Sequence, residues 1–404
     1  MDDIPGSKRK IMNKVILFNK RPVGKPTLED FKFVEEEKPT AESGQVLLKT
    51  LYVSVDPYLR GRMTTAKSYI PPFELNKPLQ STLVAEVVES KLEGFNAGDF
   101  VTGNLDWKEY QVSNGSGLNK VDANAASLSA YLGILGMTGL TAYFGLTEIA
   151  HPKPGETIVV SGAAGAVGSI VGQIAKIFGC KVIGLAGSDD KVALLKSEFG
   201  YDEAINYKTT EDMKAAIAAA APNGVDIYFD NVGGVISDAV LANINKFARV
   251  PLCGAISSYN DTEVETGPRI QSILVKNSVL MQGFIVSNYL PKFKEGIAQL
   301  STWLQEGKLT YSETIVDGFD QIPQAFIDLF DGKNNGKMIV KIYNYIYNVE
   351  FRIHEPYQDY FWERTNRKTD KRDSARCQSA LTLRWWKHKN QRHLRSGEAS
   401  FTGL

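Results

Sequence analysis

The sequence predicts an α/β fold in which a doubly wound parallel sheet is inserted into a discontinuous β-rich domain. Short β-rich runs come first, apolar strands then alternate with amphipathic helices, and a strand, a helix and a strand follow between residues 311 and 342. The predicted divisions are an N-terminal extension (1–11), the β-rich domain (12–133 and 310–342), the parallel-sheet domain (134–309) and an atypical tail (343–404) that we expect to lie outside the fold.

The β-rich part runs from Met12 to about Gly133. Its runs KVILF, QVLLKTLYVSV, LVAEVVES and DFVTGN are separated by turns that contain Pro, Gly and Asn. This pattern predicts an antiparallel barrel or sandwich.

Six apolar strands are predicted after Gly155, namely TIVVS, KVIGLA, EAIN, DIYFDNV, ARVPLCG and SVLMQGFIV. Helices are predicted after Gly165, Asp189, Thr210, Gly234, Gly267 and Tyr289. Alternation of this kind is typical of a parallel sheet with crossover helices, and six strands fit a doubly wound sheet that binds a nucleotide.

The composition limits the classes of binding partner that we expect. The 46 basic and 46 acidic residues cancel, so we expect neither nucleic acid nor a membrane surface as a partner, but a small molecule. No apolar run is long enough for a signal peptide or a membrane span. The widely spaced Cys180, Cys253 and Cys377 suit a reducing compartment, so we expect buried free thiols and a cytoplasmic location.

A glycine-rich turn is the sharpest local signal. In TIVVSGAAGAVGSIVGQIAKIFG a strand runs into Gly162, Gly165 and Gly168 and then into a helix. A dinucleotide pyrophosphate needs backbone N–H groups at a helix N-terminus, and a Cβ on the turn would hold it away. A tight turn without a ligand is the alternative, but the six-strand context favours a cofactor site.

The end of the second strand distinguishes NAD from NADP. Ala186 and Gly187 are not acidic there, and Lys191 lies one helical turn further on, where its ammonium could reach a 2′-phosphate. Asp189 and Asp190 argue for NAD unless they are first-turn acids behind a Ser188 N-cap. We favour NADP(H).

The residues for a catalytic zinc site are missing from the predicted core. His151 is the only histidine before residue 350 and we expect it in an exposed turn; no CxxC pair occurs. Without a Lewis acid, conjugate reduction of an enone or enal is more plausible than ketone reduction, because hydrogen-bond donors can stabilise the enolate.

Several longer strings carry a family resemblance. They are LYVSVDPYLRGRM, LGILGMTGLTAYFGLTEI, SGAAGAVGSIVGQIAKIFGCKVIGLAGSDDK, YFDNVGG, CGAISSYN and GKNNGKMIVK. Over Met12 to Ile342 the chain resembles the zinc-independent medium-chain dehydrogenase/reductases, specifically the prostaglandin reductase and alkenal double-bond reductase family, which includes curcumin reductase-like enzymes. The resemblance implies a Rossmann-type sheet, a GroES-like β-barrel domain, a homodimer and NADPH-dependent reduction of enones and enals.

The family resemblance also implies which residues are catalytic and which bind the cofactor. Tyr259 and Tyr58 are the implied catalytic residues, with Tyr259 as the donor to the enolate. The implied cofactor contacts are Gly165, Ala166, Val167, Gly168, Lys191, Tyr207, Asn231, Cys253, Gly254, Ala255, Ile256, Ser257, Ser258, Tyr259, Phe284, Ile285, Val286 and Asn334.

Some alternatives stay open. Either tyrosine could be only an aromatic wall contact, and we interpret Arg60 and Arg62 as surface ion-pairing residues rather than binders of an anionic substrate tail. Thr82 stands where plant members of the family have a second pocket tyrosine, so their substrate preference does not transfer. A quinone oxidoreductase and an inactive NADPH-binding protein are the alternative functions.

Overall fold

The computed structural model describes residues 11–342; the predicted tail and residues 1–10 lie outside this range. Within it the strands are β1 (Met12–Phe18), β2 (Phe31–Glu37), β3 (Val46–Ser54), β4 (Gln80–Ser90), β5 (Phe100–Asp106), β6 (Tyr110–Ser113), β7 (Asn119–Val121), β8 (Thr157–Ser161), β9 (Lys181–Ala186), β10 (Glu203–Asn206), β11 (Val225–Phe229), β12 (Ile244–Leu252), β13 (Leu280–Gly283), β14 (Glu313–Asp317) and β15 (Lys337–Lys341). The α-helices are α1 (Leu59–Arg62), α2 (Met137–Phe144), α3 (Gly168–Ile177), α4 (Asp189–Ser197), α5 (Met213–Ala220), α6 (Gly234–Leu241), α7 (Gln271–Asn277), α8 (Phe293–Gln305) and α9 (Ile322–Phe330), and a π-helical turn, Gly145–Ala150, continues α2.

A six-stranded parallel sheet contains all the strands predicted after Gly155. Its order is β10-β9-β8-β11-β12-β13, so the chain winds outward in both directions from β8. The predicted helices are also present, which confirms the Rossmann-type part of the fold class. Three predicted strands are too long, because β11, β12 and β13 end at Phe229, Leu252 and Gly283 and the residues that follow turn towards the cleft described below.

Alternate side chains of β8 enter different cores. Ile158 and Val160 pack with the inner face of α3, whereas Val159 packs with Ile217 of α5 and Val240 of α6. All five residues of β8 are buried. Helices therefore cover both faces of the sheet, as the continuous apolar strands require.

A seven-stranded sheet combines strands from the first part of the described chain with its last two strands, whereas β1 and β2 form a separate two-stranded antiparallel sheet. The order of the seven-stranded sheet is β14-β15-β3-β4-β5-β7, and β6 pairs with β3. β15 lies antiparallel to β3, with Ile339 opposite Ser54. The predicted strand, helix and strand near the end are thus β14, α9 and β15, which return to the first sheet. The discontinuous β-barrel part of the fold class is confirmed, while the exact domain boundaries stay a prediction.

Aromatic side chains pack the returning segment, β14 to β15, against the first strands. Phe31 stacks on the fully buried Trp107 at 6.2 Å between ring centroids, and Phe326 of α9 meets Phe31 edge-on at 6.4 Å. Burying a phenylalanine side chain contributes about 1.5–3 kcal/mol. The last described helix is therefore part of the core that the first strands begin.

Candidate active site

A cavity of about 1010 Å³ lies at the carboxyl ends of the parallel strands. Residues that follow the strands line it, together with residues of the β-barrel part: Gly162, Gly187, Tyr207, Asn231, Cys253, Phe284, Tyr58, Asn334 and Lys337. All the predicted site residues line this cavity except Ala255 and Ser258. Those two bond to each other within the same turn, since the Ser258 hydroxyl donates to the carbonyl of Ala255 at 3.1 Å.

The glycine turn joins β8 to α3 in a conformation that needs glycine. Gly162 has φ 59°, in the left-handed region. A Cβ on Gly168 would overlap the carbonyl oxygen of Gly162 and lie 2.7 Å from Cα of Ala163. No side chain caps the start of α3, so the turn is a backbone cradle at a helix N-terminus that fits a pyrophosphate.

The returning segment docks on this turn. The N–H of Gly336 donates to the carbonyl of Ala164 at 2.8 Å, and Gly336 forms a parallel bridge with Gly165. The Asn334 amide donates to the carbonyl of Gly336 at 2.8 Å. Asn334 thereby lines the cavity beside the glycine turn, although it comes from a distant part of the chain.

The turn after β11 is organised by a buried carboxylate. Asp230 Oδ1 accepts hydrogen bonds from the Tyr228 hydroxyl at 2.8 Å, the Ser161 hydroxyl at 3.0 Å and the N–H groups of Val232 and Gly233 at 2.9 Å. The Asn231 amide donates to the carbonyl of Ser161 at 2.8 Å. This network fixes the predicted cofactor residue Asn231 at the ends of two neighbouring strands.

The end of the cavity that is lined by Lys191 and Lys208 is cationic. The Lys191 ammonium donates to the carbonyl of Gly332 at 2.6 Å. Burial lowers the pKa of Lys191, and the nearby Lys208 lowers it further. A Cβ on Gly187 would lie 2.5 Å from the Tyr207 hydroxyl, so no acidic side chain fits there. An ammonium pair beside a tyrosine suits a 2′-phosphate.

Sequence reasoning missed Lys208, which lines the cavity next to the predicted Tyr207. The only sequence signal for Lys208 is that it directly follows Tyr207 in the string NYK. Asp189 and Asp190 are exposed first-turn acids of α4, and the Ser188 hydroxyl accepts from the N–H of Lys191. The capping interpretation of these residues is therefore confirmed.

The two predicted tyrosines line the same cavity. The Tyr259 hydroxyl accepts a hydrogen bond from the N–H of Ala255 at 3.4 Å. Burial raises the pKa of Tyr259, although that N–H opposes the shift. Burial also raises the pKa of Tyr58 far above its ordinary value, Asp56 adds to the shift, and Arg62 opposes it. Both phenols are therefore protonated donors at neutral pH.

A third tyrosine, Tyr69, was missed. It lines the cavity from the loop between α1 and β4. Partial burial raises the pKa of Tyr69, and so does the closeness of Tyr259 and Cys253. The loop has no periodic pattern that could have singled it out.

A buried ion pair also lines the cavity. Lys337 Nζ lies 3.0 Å from Asp56 Oδ1, and the two side chains are 5% and 6% exposed. The ammonium also donates to the carbonyls of Val55 at 2.8 Å and Met338 at 2.9 Å. β15 is thus fastened to the segment that leads from β3 to Tyr58. Neither charge was predicted as a site residue.

The interpretation of Arg60 and Arg62 as surface ion-pairing residues is wrong. They are only 4% and 7% exposed. Arg60 donates to the carbonyl of Gly24 at 2.9 Å, and Arg62 donates to that of Pro71 at 3.0 Å. The reason is that α1 packs against the loop between β1 and β2, which contains Gly24, and against the loop that follows α1, which contains Pro71.

The remaining candidates from the sequence are the cysteines and one histidine. Cys180 and Cys253 are free, and burial raises the pKa of their thiols to about 11 and about 12; Cys377 lies outside the described residues. His151 is exposed, as expected. Among residues 11–342, no group of three or more His, Cys, Asp or Glu side chains is placed to hold a metal ion. No helix in that range is long and apolar enough to cross a bilayer.

Comparisons with known proteins give the family. A family model described as the N-terminal domain of oxidoreductase matches residues 14–121, and one described as zinc-binding dehydrogenase matches residues 166–303. A Bacillus subtilis protein, YfmJ, named as a candidate NADP-dependent oxidoreductase, is 58% identical over 325 residues, covering 80% of this chain and 96% of its own.

Two further relatives agree. Prostaglandin reductase 1 of Bos taurus is 46% identical over 79% of this chain and 96% of its own length. The crystal structure of CurA from Vibrio vulnificus in complex with NADPH has a TM-score of 0.78 and 41% identity, covering 82% of this chain and 99% of that one. The cofactor is NADP(H), and the glycine cradle, Lys191 and Lys208 fit this cofactor. The chain is an NADP-dependent oxidoreductase and belongs to the prostaglandin reductase and alkenal reductase family of the medium-chain dehydrogenase/reductases.

Proposed function

We propose that the protein reduces the carbon–carbon double bond of α,β-unsaturated ketones and aldehydes, without a metal. The observation that carries the proposal is that Tyr259, Tyr58 and the glycine turn line one cavity. The substrates we propose are 2-alkenals, 2-alkenones and larger enones such as 15-keto-prostaglandins or curcumin, since a volume of about 1010 Å³ leaves room for more than a cofactor.

The cofactor residues proposed are those predicted above, with Lys208 added. The turn from Gly165 to Gly168 would hold the pyrophosphate. Lys191, Lys208 and Tyr207 would hold the 2′-phosphate, and Asn334 would contact the cofactor from the returning segment. When bound, NADPH supplies the hydride.

Tyr259 would act at the substrate carbonyl. Its oxygen accepts the Ala255 N–H, so its own proton is free to donate to the substrate. Addition of hydride to the β-carbon moves the π electrons to the carbonyl oxygen, and the Tyr259 O–H stabilises the resulting enolate. The α-carbon then takes a proton from water. Tyr58 would contribute a second donor on the opposite wall.

The test is loss of NADPH absorbance against trans-2-nonenal, 3-nonen-2-one, a 15-keto prostanoid, curcumin and a quinone. Turnover of the enals and enones with a preference over the quinone supports the proposal. A preference for the quinone would assign a quinone oxidoreductase instead. Tight NADPH binding without oxidation by any of the five would indicate an inactive binding protein.

A homodimer in the cytoplasm completes the proposal. β13 is the edge strand of the parallel sheet, and Leu280, Val275 and Leu290 around it are 49%, 80% and 58% exposed. An apolar sheet edge favours pairing with a second copy. Light scattering at micromolar concentration should give twice the chain mass; a monomer would refute this part.

A further inference from the structure

The two walls that carry Tyr58 and Tyr259 are joined by one side chain. Arg60 Nε donates to the Asn260 Oδ1 at 3.2 Å, and Arg60 Nη2 donates to the carbonyl of Gly24 at 2.9 Å. Arg60 lies two residues after Tyr58, and Asn260 directly follows Tyr259. The bond therefore spans the cleft between α1 and the turn after β12.

Stability does not explain this arginine. Its side chain is 4% exposed, and within the described residues its Nη1 has no hydrogen-bond partner. A buried guanidinium with an unsatisfied nitrogen is unfavourable, and an apolar residue of similar volume would avoid that penalty. What the planar guanidinium provides is two donors at a fixed angle, which a lysine does not have.

We propose that Arg60 is a positioning residue that holds Tyr58 and Tyr259 at a fixed separation through its hydrogen bond to Asn260. The inference rests on the proposed function for its kinetic consequence. Arg60 does not line the cavity, whereas Asn260 does. The effect of Arg60 on the reaction therefore passes through the cavity residues that it positions, Asn260 and the two tyrosines.

The kinetic experiment compares R60K, N260A and the double variant R60K/N260A with wild type, using 3-nonen-2-one at saturating NADPH to measure kcat and at varied NADPH to measure its KM. R249K is the matched control, because Arg249 is a partly buried arginine that bonds backbone carbonyls and a carboxylate, and it does not line the cavity. We expect R60K and N260A each to lower kcat by roughly 10- to 100-fold, because a displacement of about 1 Å at the reacting groups has effects of this order. The KM for NADPH should stay the same, and R249K should keep the wild-type kcat.

The double variant tests the coupling. If the two residues act through one bond, R60K/N260A loses no more than the worse single variant. Multiplying losses, or a wild-type kcat in R60K, would overturn the proposal. N260D, which keeps an acceptor oxygen for Arg60, should lose less than N260A.

Amide hydrogen exchange of the apo proteins provides a readout without turnover. R60K should increase exchange in residues 55–63 and 253–262, and R249K should not. Unchanged exchange in these segments would also overturn the proposal. If wild type turns over no enone, the proposed function fails, while the exchange measurement still decides whether Arg60 holds the two walls.

Discussion

The cofactor side and the substrate side of the cleft are built differently. On the proposed cofactor side, the cradle for the pyrophosphate is backbone from one contiguous strand, turn and helix, Thr157 to Ile177, whose glycines leave room for a ligand. The proposed substrate side consists of side chains from the segment between β3 and α1, the loop before β4, the turn after β12 and β15. A backbone cradle depends on local conformation, whereas the substrate side depends on contacts between segments far apart in sequence.

The largest expected effect concerns the buried pair on the substrate side. K337M removes the ammonium from Asp56 and leaves a buried carboxylate without its counterion, so we expect a loss of about 3–5 kcal/mol in the free energy of unfolding. The double variant K337M/D56N should recover part of it. Urea denaturation measures both.

The matched control is K14M. Lys14 pairs with Asp320 at 2.8 Å, but the two side chains are 41% and 56% exposed, so the expected loss is below about 1 kcal/mol. Equal losses in K337M and K14M would contradict the role given to the buried pair.

The next effect is catalytic. Y259F keeps the ring and removes the donor, and loss of one donor to a developing oxyanion lowers kcat about 10²- to 10³-fold. NADPH affinity should not change, because Y259F keeps the aromatic ring that would contact the cofactor. Y311F is the control, because the Tyr311 hydroxyl bonds Ser127 and does not line the cavity. Turnover of a small enone by Y259F at the wild-type rate would remove Tyr259 from the mechanism.

The smallest expected effect concerns the binding of the cofactor's 2′-phosphate by Lys191. K191M should weaken NADPH binding by about 10-fold or more, as expected for a hydrogen bond to a charged group, and leave NADH binding unchanged. K196M on the same helix is the control, since Lys196 pairs with Glu203 at 2.9 Å. Fluorescence titration gives the two dissociation constants. An equal loss for NADH and NADPH would mean that Lys191 does not contact the 2′-phosphate.

The same contrast explains what could be predicted. The strands and helices of the parallel sheet follow from local apolar periodicity, and the glycine turn follows from the steric needs of consecutive residues such as Gly162 and Gly168. Lys337 and Asp56 form an ion pair only because β15 pairs with β3, and no local sequence pattern predicts that pairing. The predicted ends of β11, β12 and β13 lie past the observed ones, because residues such as Val232, Cys253 and Phe284 continue beyond the sheet to line the cavity.

The central claim is that hydride from NADPH reaches the β-carbon of an enone in this cleft. The most direct test is reduction of 3-nonen-2-one with NADPH deuterated at C4, followed by ²H NMR of the product. The account predicts a saturated ketone with deuterium at the β-carbon and none at the α-carbon. Deuterium at the carbonyl carbon of an allylic alcohol would contradict it.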